Sequence, residues 1–433
     1  MKIGFISLGC SKNLVDSEKM MGMITSGQHE LVANAQEAEA IIINTCGFIN
    51  SAKEEAINTI FKMAEYKQQN CKKLIVVGCL AQRYKDTLQQ EIPEIDAVIS
   101  IKEYPHLHEI LGELLNGKDL ISYDKCERKV SSKPWSAYLK IAEGCSNRCT
   151  YCAIPLIRGG NVSFPMEQLV IEAKELAKRG VKELVLIAQD TTKYGVDLYE
   201  KRSLLDLLEK VHEIEGFHWI RILYMYPDEI DEELIEGMAN LPKVLPYFDI
   251  PMQHANNRML EAMNRRGSKE DVLSLVKKIR ATLPQATLRT TFIIGFPTET
   301  KEEFDELMGF VEDVHWDRMG AFTYSPEEDT PAFEMKQDVS EEEKETRLAY
   351  LMKRQEEISY ENQKAMIGKT IEVLVEDQEG LTGMYRGRGA SSAPDEVDGI
   401  VMFKSERYIP FGSFVNVNIT SALPHDLIGE EVC

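Results

Sequence analysis

Cys145, Cys149 and Cys152 lie in the stretch Gly144-Cys145-Ser146-Asn147-Arg148-Cys149-Thr150-Tyr151-Cys152, directly after the apolar run Tyr138-Leu139-Lys140-Ile141-Ala142. Thiols set apart by three and then two residues can converge on one metal centre, and closely spaced thiolates favour a soft metal, either zinc or an iron-sulfur cluster. A structural zinc site closes its tetrahedron with a fourth Cys or His at short spacing. The residues after Cys152, Ala153-Ile154-Pro155-Leu156-Ile157-Arg158, offer none. That leaves an open position, and an iron corner without a protein ligand can bind a small molecule directly. The plainer readings are a zinc site or three unrelated buried thiols; spacing and strand-end placement together favour the cluster.

A second set is dispersed along the chain. Cys10, Cys46 and Cys79 occur in Leu8-Gly9-Cys10, Asn44-Thr45-Cys46-Gly47 and Val77-Gly78-Cys79, each after an apolar strand-like run. In an open parallel sheet the carboxyl ends of strands share one rim, where ligand sites form. One thiol there is ordinarily a small buried residue. Three at equivalent positions, each beside Gly, point to a second metal site. Cys71, Cys126 and Cys433 have no partner at ligand spacing and read as incidental thiols.

The elements that must position these thiols form an α/β chain. Residues 1–117 alternate strand and helix, with strand runs Lys2 to Leu8, Ala40 to Asn44, Lys73 to Val77 and Ala97 to Ile99, which predicts an N-terminal open parallel α/β sheet domain. Residues 118–136, rich in charge, Ser and Pro, read as a linker. Across 137–335 the rhythm lengthens, with strands at Tyr138 to Ala142, Leu184 to Ala188, Trp219 to Leu223, Tyr247 to Ile250, Leu288 to Ile294 and Ala321 to Tyr324. Six β-α units predict a partial (β/α)6 barrel with the cysteine loop on its carboxyl-end face. Residues 336–366 are densely charged with apolar residues at helical spacing, a connecting helix. Residues 367–433 show short β runs at Thr370 to Val375, Gly399 to Phe403 and Phe414 to Ile419, a small antiparallel β-barrel.

Composition bounds the function. At 433 residues the chain holds two or three domains, and no apolar run approaches the roughly 18 residues of a membrane span. The N-terminus reads as a first strand and lacks the features of a signal peptide, so a cytoplasmic protein with no membrane role is expected. Nine cysteines, an odd number in a reducing compartment, argue for metal ligation over disulfides. A net charge of −21 opposes wide contact with nucleic acid and would attract a basic protein partner. The barrel strands are followed by polar or Gly-rich stretches where substrate and cofactor would be held, among them Gln189-Asp190-Thr191-Thr192, Pro251-Met252-Gln253-His254 and Gly295-Phe296-Pro297-Thr298. His254 reads equally as a satisfied loop residue or as a binding one.

The spacing C-x3-C-x2-C with Tyr151 before the third Cys resembles the radical SAM signature. Taken with the three-cysteine sheet domain and the small C-terminal β domain, the whole chain resembles the methylthiotransferase family of radical SAM enzymes. That resemblance implies two 4Fe-4S clusters, one on Cys10, Cys46 and Cys79 and one on Cys145, Cys149 and Cys152 that also binds S-adenosylmethionine (SAM), with Gln189 and Gln253 as SAM contacts and a TRAM-like tail. It implies SAM as radical source and methyl donor, and a flavodoxin-type or ferredoxin-type electron donor. One branch of the family modifies adenosine in tRNA and the other an aspartate of small-subunit ribosomal protein twelve. Ser7-Leu8-Gly9-Cys10-Ser11-Lys12-Asn13, Asp249-Ile250-Pro251-Met252-Gln253-His254 and Phe322-Thr323-Tyr324-Ser325-Pro326-Glu327-Glu328 look like the ribosomal-protein branch. The acidic tail agrees, since a ribosomal protein is basic and tRNA is a polyanion. The expected partner is therefore that protein or the small ribosomal subunit, with tRNA the alternative substrate. The chain departs from the family pattern at Phe164, where Arg is expected, at Thr298, where Gly is expected, and at Asp395, displaced from an Asp-Ala-Pro order.

Overall fold

The computed structural model describes residues 1–27, 29–115, 120–394 and 398–432; Asp395 and Cys433 lie outside them. Two compact units are present, one of Met1–Ser131, Glu143–Val162 and Ser325–Phe333, the other of Ser132–Ala142, Ser163–Tyr324 and Glu334–Cys433.

The first unit is built on a five-stranded sheet in the order β2-β1-β3-β4-β5, with β1 Lys2–Ser7, β2 Glu30–Val32, β3 Ala40–Thr45, β4 Lys73–Gly78 and β5 Ala97–Ile99, every pairing parallel. The run Ala40-Ile41-Ile42-Ile43 is apolar throughout because both faces of β3 are covered. Ile41 and Ile43 pack with Ala56 and Ile60 of the helix Asn50–Ala64, while Ile42 turns to Met20, Met23 and Ile24 of the helix Ser11–Ser26. Alternation along one strand thus fills two cores. Of the stretch whose composition reads as a linker, residues 120–131 are packed within this unit: Tyr123 donates to Asp16 Oδ1 at 2.8 Å, and Arg128 Nε to Glu18 Oε2 at 2.7 Å.

The second unit carries six parallel strands and a closed barrel. Strands β6 Ser136–Lys140, β7 Glu183–Ile187 and β8 Trp219–Ile222 form one sheet, and β9 Tyr247–Asp249, β10 Thr287–Ile294 and β11 Arg318–Thr323 another. Leu245 N to Ile220 O and Met225 N to Asp249 O, both 2.8 Å, join them into the six-stranded arc of a partial (β/α)6 barrel. Behind it runs the 24-residue helix Glu341–Lys364, capped by Ser340. The C-terminal strands β12 Thr370–Gln378, β13 Tyr385–Gly389, β14 Val401–Lys404, β15 Phe414–Ala422 and β16 Leu427–Glu431 close in the order β12-β13-β14-β16-β15. Four of its pairings are antiparallel as expected; β14 and β16 pair in parallel, because the chain crosses the barrel instead of returning by a hairpin. Among the described residues no helix is long and apolar enough to cross a membrane.

Candidate functional site: two sets of three thiols

All six candidate ligand cysteines fall within the first compact unit. Cys10 caps the helix after β1, Cys46 follows β3, and Cys79 opens the helix Cys79–Arg83 after β4. The rim proposed from sequence is therefore real, and close backbone approach makes it. Gly9 has φ +88°, and a Cβ there would lie 2.8 Å from Cys46 Cβ and 3.1 Å from its Sγ, so only glycine lets these strand ends meet. Asn13, fully buried, stitches the rim, donating from Nδ2 to Leu8 O at 3.0 Å and to Thr45 O at 3.1 Å while its Oδ1 lies 3.5 Å from Cys79 Sγ. Cys10 is exposed, Cys46 half-buried and Cys79 buried.

Burial acts first on these thiols. It pushes Cys79 up to about 12, with Cys10 and Cys46 adding to the rise and Arg158 opposing it. Burial likewise raises Cys46, with Cys10 contributing, while the backbone of Phe48 and Gly47 favours its thiolate. A metal centre supplies the positive charge that makes thiolates stable at such depth.

The second set is local. Cys145 N bonds Gly159 O and Cys152 N bonds Cys149 O, both at 3.1 Å, so the loop folds on itself. Gly144 has φ +71°, and a Cβ there would sit 2.2 Å from Gly160 O, so the turn into the loop requires glycine. The short helix Ile154–Arg158 leads away from Cys152, and Ala153 and Ile157 pack against Cys79 in one small apolar cluster. Its last residue, Arg158, donates to Asn13 Oδ1 at 2.6 Å, to Asp16 Oδ2 at 3.1 Å and to Glu143 Oε1 at 2.7 Å. Burial works against that charge, and Cys79, Glu143 and Asp16 together hold the guanidinium well above its usual range. Asn13 and Arg158 were passed over in the sequence although both sit in quoted motifs, because nothing in the order of residues says that they meet.

The other two described thiols, Cys71 and Cys126, are hydrogen-bonded to nearby carbonyls. Cys71 Sγ donates to Lys73 O at 3.2 Å, and Cys126 Sγ to Lys19 O and Tyr123 O at 3.1 Å; the eight described cysteines form no disulfide. Among the described residues no three His, Cys, Asp or Glu side chains close round a point that would hold a single ion. A cubane cluster gives each thiolate its own iron, so its donors stand further apart than those round one ion.

In the second unit Gln189 and Gln253 are half-buried and follow β7 and β9. Gln253 has φ +72°, is held through its backbone to Thr291 O and Ile293 N, both at 2.8 Å, and carries a buried Oε1 with no hydrogen-bond partner. His254 is buried: Nδ1 accepts from Asn256 N at 3.0 Å, while Nε2, 3.6 Å from Glu299 Oε2, has no hydrogen-bond partner, so only one of its two ring nitrogens is satisfied. Thr298 adopts φ +68°, the conformation that explains why glycine is expected there, and Arg258 Nη2 holds its carbonyl at 2.8 Å. Phe164 lies under Lys140, whose Nζ is 5.8 Å from the ring centroid.

Fold and thiol geometry define the class. Residues 139–311 match the Radical SAM superfamily, 2–100 the Uncharacterized protein family UPF0004 and 367–432 the TRAM domain, so this is a radical SAM protein with an N-terminal cysteine-bearing domain. A radical SAM methyltransferase, TsrM from Kitasatospora setae with tryptophan and a SAM analogue bound, shares the fold with a TM-score of 0.56 at 11% identity, over 82% of this chain and 89% of that one. More specifically, the chain belongs to the ribosomal protein uS12 methylthiotransferase family, RimO. It is 49% identical to the RimO of Clostridioides difficile (strain 630) over 99% of this chain and 98% of that protein. It is 46% identical to that of Caldicellulosiruptor saccharolyticus over the full length of both.

Proposed function

We propose that this enzyme places a methylthio group on the β-carbon of an aspartate in ribosomal protein uS12, in the cytoplasm, with SAM as both radical source and methyl donor. The observation that carries the reading is the gathering of six cysteines into one compact unit as two sets of three. Cys145, Cys149 and Cys152 would hold a 4Fe-4S cluster open to SAM, and Cys10, Cys46 and Cys79 a second. Reductive cleavage of SAM at such a cluster supplies a radical able to take hydrogen from an unactivated carbon, work that no acid, base or nucleophile of the chain can do.

The chain's own residues do the rest. Gly9 and Asn13 bring the strand ends together, which would hold the first thiol set on one rim. Ala153 and Ile157 keep water from the flank of Cys79. The unpaired Oε1 of Gln253, with Gln189, would bind and orient SAM. An electron donor of flavodoxin or ferredoxin type fits the one-electron demand, and the net charge of −21 suits a basic ribosomal protein while repelling tRNA.

The test is a substrate comparison. Anaerobically reconstituted enzyme with reductant and SAM is given uS12 or tRNA, and both are read by mass spectrometry alongside 5′-deoxyadenosine. Methylthio-aspartate on uS12 is expected. Modified tRNA adenosine would overturn the substrate, and absence of 5′-deoxyadenosine would overturn the radical chemistry.

A further inference from the structure

Arg158 belongs by sequence to the second thiol set and by contact to the first. It ends the helix that follows Cys152, yet it is only 7% exposed and its three polar partners in the first unit include Asn13 and Asp16, which lie on the first turns of the helix opened by Cys10. Asp16 is itself fixed by the Tyr123 hydroxyl at 2.8 Å, and Glu143, at 2.7 Å, completes the fork. A guanidinium buried this deeply is costly unless every donor finds a carboxylate or amide oxygen, so its placement is rigid. The Cys79 thiol packs against the neighbouring Ile157 and reaches, at 3.5 Å, the same Asn13 Oδ1 that Arg158 binds at 2.6 Å.

We propose that Arg158 is a positioning residue linking the two thiol sets: carried on the helix behind Cys152, its fixed positive charge acts on Cys79 and raises the reduction potential of the cluster on Cys10, Cys46 and Cys79. This rests on the two-cluster reading given above. Reduction adds one negative charge to a cluster, and potentials follow net charge and hydrogen bonding at the sulfurs, so a buried cation favours the reduced form. Asp16, bound to the same guanidinium, acts in the opposite sense.

The full-length Cys149→Ala variant retains only the first set as a complete trio, so its cluster can be titrated alone with dithionite and followed by electron paramagnetic resonance. In that background Arg158→Gln shifts the midpoint to a more negative potential, Arg158→Lys leaves it closer to the parent, and Asp16→Asn shifts it to a more positive one. Opposite signs are what a charge effect demands; general loosening of the rim moves both variants the same way. Shifts of the same sign, or no shift in either, overturn the proposal. Should Arg158→Gln assemble no cluster, Arg158→Lys and Asp16→Asn decide: a parent-like potential in the first with a positive shift in the second supports it, and an unmoved or negative Asp16→Asn overturns it. A Cys149→Ala parent that binds no cluster sinks the two-cluster reading itself, and this inference with it.

Discussion

The two thiol sets reach similar chemistry by opposite routes. Cys10, Cys46 and Cys79 are assembled by tertiary structure from three strand ends, whereas Cys145, Cys149 and Cys152 lie in one loop that hydrogen-bonds to itself. The first set is as precise as the sheet beneath it and fails if strand spacing fails. The second depends on eight consecutive residues and the turn that admits them.

The largest effects come from taking a thiol from one set at a time. Cys149→Ala should abolish 5′-deoxyadenosine formation and remove one cluster's iron, while Cys46→Ala should spare SAM cleavage yet stop methylthio insertion; iron content and product analysis on both variants separate the sets. Identical losses in the two would erase the distinction. The supporting glycines sharpen it. Gly9→Ala forces a Cβ to within 2.8 Å of Cys46 Cβ at φ +88° and should cost about 3 kcal/mol with loss of the first cluster. Gly144→Ala meets a carbonyl at 2.2 Å and should remove SAM cleavage while the first cluster persists. Denaturant midpoints and iron counts read both.

A buried charge knot without a thiol gives the control for Arg158. In the second unit Glu183 accepts from Arg388 Nη2 at 2.5 Å and Arg221 Nε at 2.9 Å, with all three side chains buried. Burial would raise Glu183, but Arg388 and Arg221 override it and bring the carboxyl down to about 2. Glu183→Gln should cost ~3–5 kcal/mol, since two guanidinium groups lose their partner, and leave cluster potentials unmoved. Because the folded value lies below the ordinary one near 4.5, the Glu183 contribution is fully present above about pH 5 and fades as pH falls toward 2. Thermal unfolding of the variant and the unmutated chain should therefore converge in acid. The smallest effect is expected at Thr298→Gly, which relieves φ +68° on a β-branched residue and should raise stability by about 1 kcal/mol, read in the same melts.

What the sequence made legible follows from how local each signal is. Apolar runs such as Ala40-Ile41-Ile42-Ile43 declare a strand buried on both faces, and the loop cysteines declare themselves by spacing. Glu30–Val32, three residues on a sheet edge, has too little pattern to read, and Tyr385–Gly389 hides a strand behind two glycines and two arginines, one of which, Arg388, is buried only because Glu183 awaits it. The parallel pairing of Val401–Lys404 with Leu427–Glu431 depends on a chain crossing that no short window contains. Arg158 and Asn13 are 145 positions apart, and their meeting is a property of the fold alone.

The first unit is completed by residues 325–333, whose Ala332 N bonds Thr150 O at 2.9 Å and whose buried Glu327 takes Lys53 and Arg83 at 2.7 and 3.1 Å. A growing polypeptide cannot finish that unit until synthesis has passed three-quarters of its course. At ordinary elongation speeds the earliest cysteines are then made tens of seconds before their last supports exist. Iron delivered before that point would meet a half-built cradle.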